Sequence, residues 1–495
     1  MTLAALGSGS EPAALAETHT AVLLLTGDLV LKVKKPVRFA FLDFSTRARR
    51  QAACQREVEL NRRLAPDVYL GVVDLLDPQG QPWEHAVLMR RMPAARSLAR
   101  LVQSPEPPVD QLRAVAATLA HFHQGAARSP DIDAAATCEA VRRLWADNLA
   151  ELRQLPRDTI TTGALDPIDA LAMTFLAGRE PLFRARLDAG CCCDGHGDLQ
   201  AADVFCLDDG PRMLDCLEFD DRYRYGDVAA DIAFLAMDLE RLGAPDASRV
   251  LVEAYQEAAG APLPRALLDH YIAYRALVRA KVAALRLAQE TDPGQAVAHG
   301  REVADLLERC RAHLEASQVR LVLVGGLPGT GKTTVAQALA DPLDALVLRS
   351  DVVRKELAGL EPTTPAPAGP GAGLYDEDRT DATYGELLEQ AQASLEMGRS
   401  VVLDASWISA RHRVLARDVA RRSSTALVEL HCTLDPDLAA QRMRRRGPDA
   451  SDATDEVAAA MARAEDPWPE ARVLDTGAEP ATVARRALAQ VQAGT

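Results

Sequence analysis

Residues 326–333, Gly-Leu-Pro-Gly-Thr-Gly-Lys-Thr, fit the pattern GxxxxGK[ST] and stand between an apolar run, VRLVLVG, and a helix-forming run, TTVAQALA. Gly326, Gly329 and Gly331 let successive backbone N–H groups curl around phosphate oxygens, with Thr330 and Thr334 in the same turn. Lys332 then reaches the β- and γ-phosphates of ATP, and Thr333 offers a hydroxyl to Mg2+. Two carboxylates belong with this loop. Asp404 ends the apolar run VVLD, a place suited to a Mg2+ ligand, although apolar runs often end in Asp for no chemical reason. Asp351 follows VLRS, and Arg354 comes one helical turn later. A carboxylate there can accept a hydroxyl proton while the arginine holds an anionic or polar substrate; an N-cap Asp beside a solvated Arg is the competing reading. Arg442, Arg444, Arg445 and Arg446 form a dense cluster, either a lid over transferred phosphate or a solvated helix face.

A second set of carboxylates lies upstream. His196-Gly197-Asp198 is followed by Asp203 and then by Asp215 within LDCLEFD. The spacing is that of a catalytic-loop base, a metal ligand on the same loop, and a second metal ligand on the following hairpin. Phosphoryl transfer is mostly positioning and charge neutralisation, so three carboxylates converging on a base and Mg2+ act as one device. Turn and capping aspartates are the alternative.

The elements that must hold these residues can be read from pattern. AVLLLTGDLVLKVKK is a hairpin around Gly27-Asp28, residues 46–64 are an amphipathic helix, and EHAVLMRRM is a strand. Helical spacing fills 111–124, 136–154 and 164–187; a β-rich island follows at 191–220, then helices at 228–242, 263–290 and 296–316. From 319 onward strands at VRLVLVGG, VLRSD, SVVLDAS and ALVELHC alternate with helices, which indicates a parallel sheet covered on both faces. Residues 361–378, rich in Pro and Gly, read as a mobile loop.

The chain has 495 residues, enough for several domains. With 56 Lys and Arg against 71 Asp and Glu its net charge is −15, which speaks against general binding to nucleic acid or anionic membranes. Nine cysteines without framework spacing, no cationic start before Lys32 and no apolar run near 20 residues lead us to expect a cytoplasmic protein. The run Cys191-Cys192-Cys193 reads as a buried strand more readily than as a metal site.

On GGLPGTGKTT, SDVVRKELAGL, VVLDAS and the arginine cluster, residues 319–475 resemble the P-loop kinases that include zeta toxins and polynucleotide kinases. The resemblance implies Asp351 as general base, Arg354 in substrate binding, Lys332 and Thr333 on nucleotide and Mg2+, and Arg442 as a lid arginine. Residues 20–310 resemble the aminoglycoside phosphotransferase family, which has a protein-kinase-like fold. LVLKVKKPV offers the strand lysine, Lys32 ahead of Lys34 and Lys35. QREVELNRRL offers its carboxylate partner, Glu57 ahead of Glu59, and VLMRRM is the segment that meets adenine. The expected architecture is an α+β, two-lobed kinase-like domain over 1–315 followed by an α/β P-loop NTPase domain with a parallel sheet over 316–495.

Two departures are visible. Gln200 and Asp203 stand where the family loop has HxxN, and 18–30 contains only Gly27 in place of a Gly-rich loop. The expected activity is ATP- and Mg2+-dependent transfer of phosphate to small hydroxylated molecules at two sites. The departures keep open a first domain that binds nucleotide as a sensor or recruiter, or a protein that works as an ATP-gated regulatory switch.

Overall fold

The computed structural model describes residues 14–18, 20–39, 42–156, 159–161, 163–365, 372–445, 450–451 and 454–493. These form two compact units. The first takes residues up to Ile168, Phe183–Leu263 and Leu267–His313; the second takes Asp169–Leu182, Pro264–Ala266 and the chain from Leu314 onward.

The first unit has the two lobes of a kinase-like fold. An antiparallel sheet runs in the order Ala14–Glu17, Ala21–Thr26, Leu29–Lys34, Pro82–Arg90, Tyr69–Leu76. The helix Arg47–Asn61 starts at Thr46, whose side chain accepts the Arg49 N–H, and its Cys54 and Val58 pack with Val30, Val87 and Met89 of the sheet. The hairpin at Gly27-Asp28 forms as expected, while the strands Ala14–Glu17 and Tyr69–Leu76 lie outside the sequence reading. Tyr69–Leu76 includes Gly71 and a register shift, which break the alternation that marks a strand.

Helices dominate the rest of this unit. The expected single helix over 164–187 is two, Leu165–Ala177 and Glu180–Asp188. Short strand pairs bracket the loop from Gly195 to Asp203: Cys192–Asp194 pairs with Tyr225–Asp227, and Val204–Leu207 with Gly210–Met213.

The second unit is built on a parallel sheet ordered Ala345–Arg349, Ser400–Asp404, Arg320–Gly325, Ala426–Thr433, Arg472–Asp475. Its central strands, LVLV and VVL, are buried without alternation because helices cover both faces. The edge strand Arg472–Asp475 was not anticipated, since four residues of RVLD carry little pattern. One boundary differs in a way that bears on chemistry. The strand stops at Arg349, so Asp351 lies in the first turn of the helix Ser350–Leu357 rather than at a strand end. Residues 366–371 of the loop read as mobile, and Arg446, lie outside the described residues.

Candidate active sites

In the first unit, strand alternation puts Lys32 and Lys34 on one face, and both reach the same carboxylate. Lys32 Nζ lies 2.8 Å from Glu57 Oε1 and 2.5 Å from Asp215 Oδ1. Lys34 Nζ lies 2.7 Å from Glu57 Oε2 and also pairs with Glu218. Lys35, on the other face, pairs with Glu17. Burial pushes the Glu57 carboxyl up, but the two lysines outweigh it and hold the group ionised. Asp215 is held below the usual carboxylate range, chiefly by the charge of Lys32. It adopts a left-handed backbone, φ 65°, and its N–H donates to the Tyr69 hydroxyl at 3.1 Å.

The loop that carries Asp198 is suspended from the helix Val228–Arg241. The Asp231 carboxylate accepts the His196 N–H at 2.6 Å and the Gly197 N–H at 2.9 Å, and Asp238 accepts the Ala201 N–H at 2.9 Å. His123 Nε2 closes the anchor at 3.2 Å from Asp231. Gly197 has φ +85°, and a Cβ there would stand 2.9 Å from the Tyr223 carbonyl, so the turn requires glycine. Asp198 is half-buried, and its Oδ1 accepts a hydrogen bond from Gln200 at 3.1 Å. Burial pushes its pKa up to about 6; Arg279 and Arg275 pull against this and Asp215 adds to it. Burial and the neighbouring Asp215 and Asp198 raise the Asp203 carboxyl as well. The charge of Asp215 acts on both Asp198 and Asp203, and that of Asp198 on Asp203.

In the second unit, Gly326 at φ +132° lies so close to the Cys432 carbonyl that a Cβ would stand 2.3 Å from it. Gly331 caps the helix Lys332–Leu343, and Lys332 Nζ donates to the Leu327 carbonyl at 3.0 Å across the loop. Thr333 Oγ1 donates to Asp404 Oδ2 at 2.7 Å, and Arg349 Nε lies 3.4 Å from the same oxygen. Burial raises the Asp404 carboxyl against the pull of Lys332, Thr333 and Arg349. Gly329, Gly331, Thr334, Asp351, Arg354 and Arg442 line the cavity of about 1060 Å³ that opens over this loop. Thr330 Oγ1 closes back onto the Leu327 carbonyl. Arg442 Nη2 donates to the Thr476 carbonyl at 3.0 Å and Arg445 also faces the cavity, whereas Arg444 turns to Asp455.

Residues 13–277, more than half of the chain, match the family described as "Phosphotransferase enzyme family", and residues 321–467 match "AAA domain". The chain belongs to the phosphotransferase enzyme family. An uncharacterized protein of Mycobacterium tuberculosis is 42% identical over 460 residues, covering 93% of this phosphotransferase and 91% of the relative. Among solved structures, a choline/ethanolamine kinase family protein from Mesorhizobium loti is 14% identical, with a TM-score of 0.38, covering 62% of this chain and 93% of that one. A sugar kinase from Janibacter sp. HTCC2649 is 22% identical, with a TM-score of 0.28, covering 35% of this chain and 94% of that one.

The phosphotransferase offers Mg2+ hard oxygen donors in both units: Asp203 and Asp215 in the first, Thr333 and Asp404 in the second. Among the described residues no group of three or more His, Cys, Asp or Glu side chains is arranged to hold a metal ion by itself. Asp203 with Asp215, and Thr333 with Asp404, are the residues that would hold such an ion, which would supply charge neutralisation. Sequence reasoning missed Glu218, Asp231 and Arg349. Asp231 sits in an apolar run, VAADIAFLAM, where a buried carboxylate was itself a signal. Among the described residues no helix is long and apolar enough to cross a membrane.

Proposed function

We propose that this phosphotransferase uses ATP and Mg2+ at two sites, one in a kinase-like domain over 1–315 and one in a P-loop domain over 316–495. Each passes the γ-phosphoryl group to a hydroxyl of a small molecule. The observation that carries the reading is the convergence of Lys32, Glu57 and Asp215 in the unit that also suspends Asp198 from Asp231. In this reading Lys32 binds the nucleotide phosphates, Glu57 orients Lys32, and Asp203 and Asp215 would hold Mg2+, which would neutralise phosphate charge. Asp198 receives the hydroxyl proton. The acceptor oxygen gains a bond to the γ-phosphorus, the bond from that phosphorus to the β–γ bridging oxygen breaks, and ADP leaves with the electron pair.

In the P-loop unit the loop from Gly326 to Thr334 cradles the phosphates, Lys332 neutralises them, and Thr333 with Asp404 holds Mg2+. Asp351 serves as base, Arg354 positions the acceptor and Arg442 closes on the transferred group. The cytoplasm, where ATP and Mg2+ are abundant, is the compartment this chemistry suits.

Asp198→Ala and Lys332→Ala in the full chain test the reading. Each is expected to remove a separable part of ATP turnover, and the pair to remove both. If one abolishes all turnover and the other changes nothing, two active sites are not supported. A second reading, in which the first unit only senses nucleotide, is favoured by Asp203 and the lone Gly27; retained Mg·ATP binding without transfer by the Lys332→Ala chain would select it.

A further inference from the structure

The cavity of about 1060 Å³ over the P-loop has a wall that the chemistry assigned so far does not use. The helix Asp455–Ala464 starts at Thr454, whose side chain accepts the Val457 N–H, and Val457, Ala460, Met461 and Ala464 recur at the spacing of one helical face. All four line the cavity, and Ile408 joins them from the loop after the strand Ser400–Asp404. Glu456, Ala459 and Arg463 take the opposite face and are exposed. An apolar face of this kind ordinarily packs into a core. Here it borders open space: Val457 is buried, Ala460 and Met461 are half-buried and Ala464 is exposed.

The wall stands at the acceptor end of the cavity. The Asp466 N–H donates to the Ile408 carbonyl at 2.9 Å and Asp466 Oδ2 accepts the Ala410 N–H at 2.8 Å, which pins the Ala464 end of the helix to the loop that follows Asp404. Asp404 is in register with Arg349, and from Arg349 the chain leads directly to Asp351. Arg442, by contrast, donates to the carbonyl of Thr476, just past the strand at the opposite edge of the sheet.

Arg354 is an independent sign of a ligand. It lines the same cavity, is 8% exposed, and among the described residues forms no ion pair. Its Nη1 donates to the Leu374 carbonyl at 3.0 Å and to the Thr380 hydroxyl at 3.2 Å, and its guanidinium lies 4.7 Å from the centre of the Tyr375 ring, while Nε is buried without an acceptor. A shielded cation facing the same space as an uncovered apolar wall fits a molecule with an acidic end and an apolar body.

Resting on the phosphotransferase reading of the P-loop site, we propose that its acceptor is an amphiphilic hydroxy acid whose carboxylate meets Arg354 and whose apolar body covers Val457, Ala460, Met461 and Ala464. A sugar acid would press its hydroxyl groups against that wall without hydrogen-bond partners, so the site selects against polyols.

The test uses the full chain carrying Asp198→Ala, which silences the first unit. Matched probes are 3-hydroxyoctanoate against 3-hydroxybutanoate and 3-phenyllactate against lactate, with gluconate as the polyol. Equilibrium binding to the Mg·AMPPNP-loaded protein reads the ligand class, while transfer of label from γ-labelled ATP reads the phosphotransferase activity separately. The apolar member of at least one pair is expected to bind about tenfold tighter than its match, the scale that burying roughly two methylene groups supplies. Met461→Gln, and Ala464→Glu at an exposed position where folding is not at stake, should each bring that ratio below about threefold with Mg·AMPPNP affinity unchanged. Arg354→Ala should weaken both members of a pair and leave their ratio in place.

Equal binding within both pairs, binding of no probe, a preference for gluconate, or full affinity in the Arg354→Ala chain would overturn the proposal. So would wall variants that lose Mg·AMPPNP affinity and keep the ratio, because the wall would then hold the nucleotide. Wall variants that slow label transfer to both members of a pair alike, with the binding ratio intact, would also overturn it, because the wall would then be a closing surface. Absence of label transfer with selective binding intact would instead refute the phosphotransferase reading and leave the ligand class standing.

Discussion

Lys34 Nζ lies 2.7 Å from Glu57 Oε2, on the carboxylate oxygen opposite the one that meets Lys32. Glu57 is therefore gripped from both sides, and Glu218 pairs with Lys34 behind it. The carboxylate has no freedom to leave Lys32 unless a second buried ion pair also breaks.

Glu57→Gln should damage stability and chemistry together. Removing the charge leaves Lys32 with Asp215 and Lys34 with Glu218 but weakens one charge-assisted contact to each lysine, a loss of about 1.5–3 kcal/mol. Chemical denaturation will read it, and turnover in the Lys332→Ala background should fall with a raised KM for ATP. Unchanged stability would show that Asp215 and Glu218 hold the two lysines without help from Glu57.

Thr333→Val and Asp404→Asn should each lower P-loop turnover, measured in an Asp198→Ala background, about 10- to 100-fold. The two side chains are 2.7 Å apart and are proposed to share one ion, so the double variant should cost little more than the worse single. Raising Mg2+ should recover part of the loss. Additive losses would place the residues in separate roles.

The pH profile of the Asp198 site follows from its carboxyl, which burial raises to about 6. A base must be ionised to accept a proton, so turnover in the Lys332→Ala chain should climb as pH rises through about 6, its half-maximum, and level off about one pH unit above it. A flat profile from pH 5 to 7 would remove Asp198 from that role.

His313 gives a separate stability prediction. Its Nδ1 lies 2.7 Å from Asp269 and its Nε2 2.8 Å from Glu240, and both can accept only from the imidazolium. Burial lowers its pKa, but the two carboxylates outweigh this and raise it to about 9. The folded state binds the proton more tightly than the unfolded one. The stabilisation is thus complete below pH about 6.5 and is lost as pH rises through about 9, a change on the order of 3 kcal/mol. Denaturation midpoints at pH 6.5 and 9.5 should converge in His313→Gln.

Much of both sites is legible in the chain because their residues are close in sequence. Gly326 to Thr334 is a continuous loop, and Asp198, Asp203 and Asp215 lie within eighteen positions. Lys32 and Lys34 could be placed on one face from strand alternation alone. Glu218, Asp231 and Arg349 were not found, because each acts through a partner whose distance in sequence is unrelated to its distance in space. Asp351 was misplaced by two residues, since the change from strand to helix at Ser350 depends on packing that local pattern does not record.

The sequence by itself determined a kinase-like unit followed by a parallel-sheet unit, the P-loop, the order of strands and helices around it, and the carboxylates that accompany each candidate site. These are set by local rules: period, turn chemistry and spacing along one loop. Only the tertiary structure decided that Glu57 serves two lysines, that Asp231 suspends the Asp198 loop, and that Arg275 and Arg279 bear on its carboxylate. Those relations join residues 23 to 81 positions apart, and burial, which gives each its strength, exists only once the chain has folded.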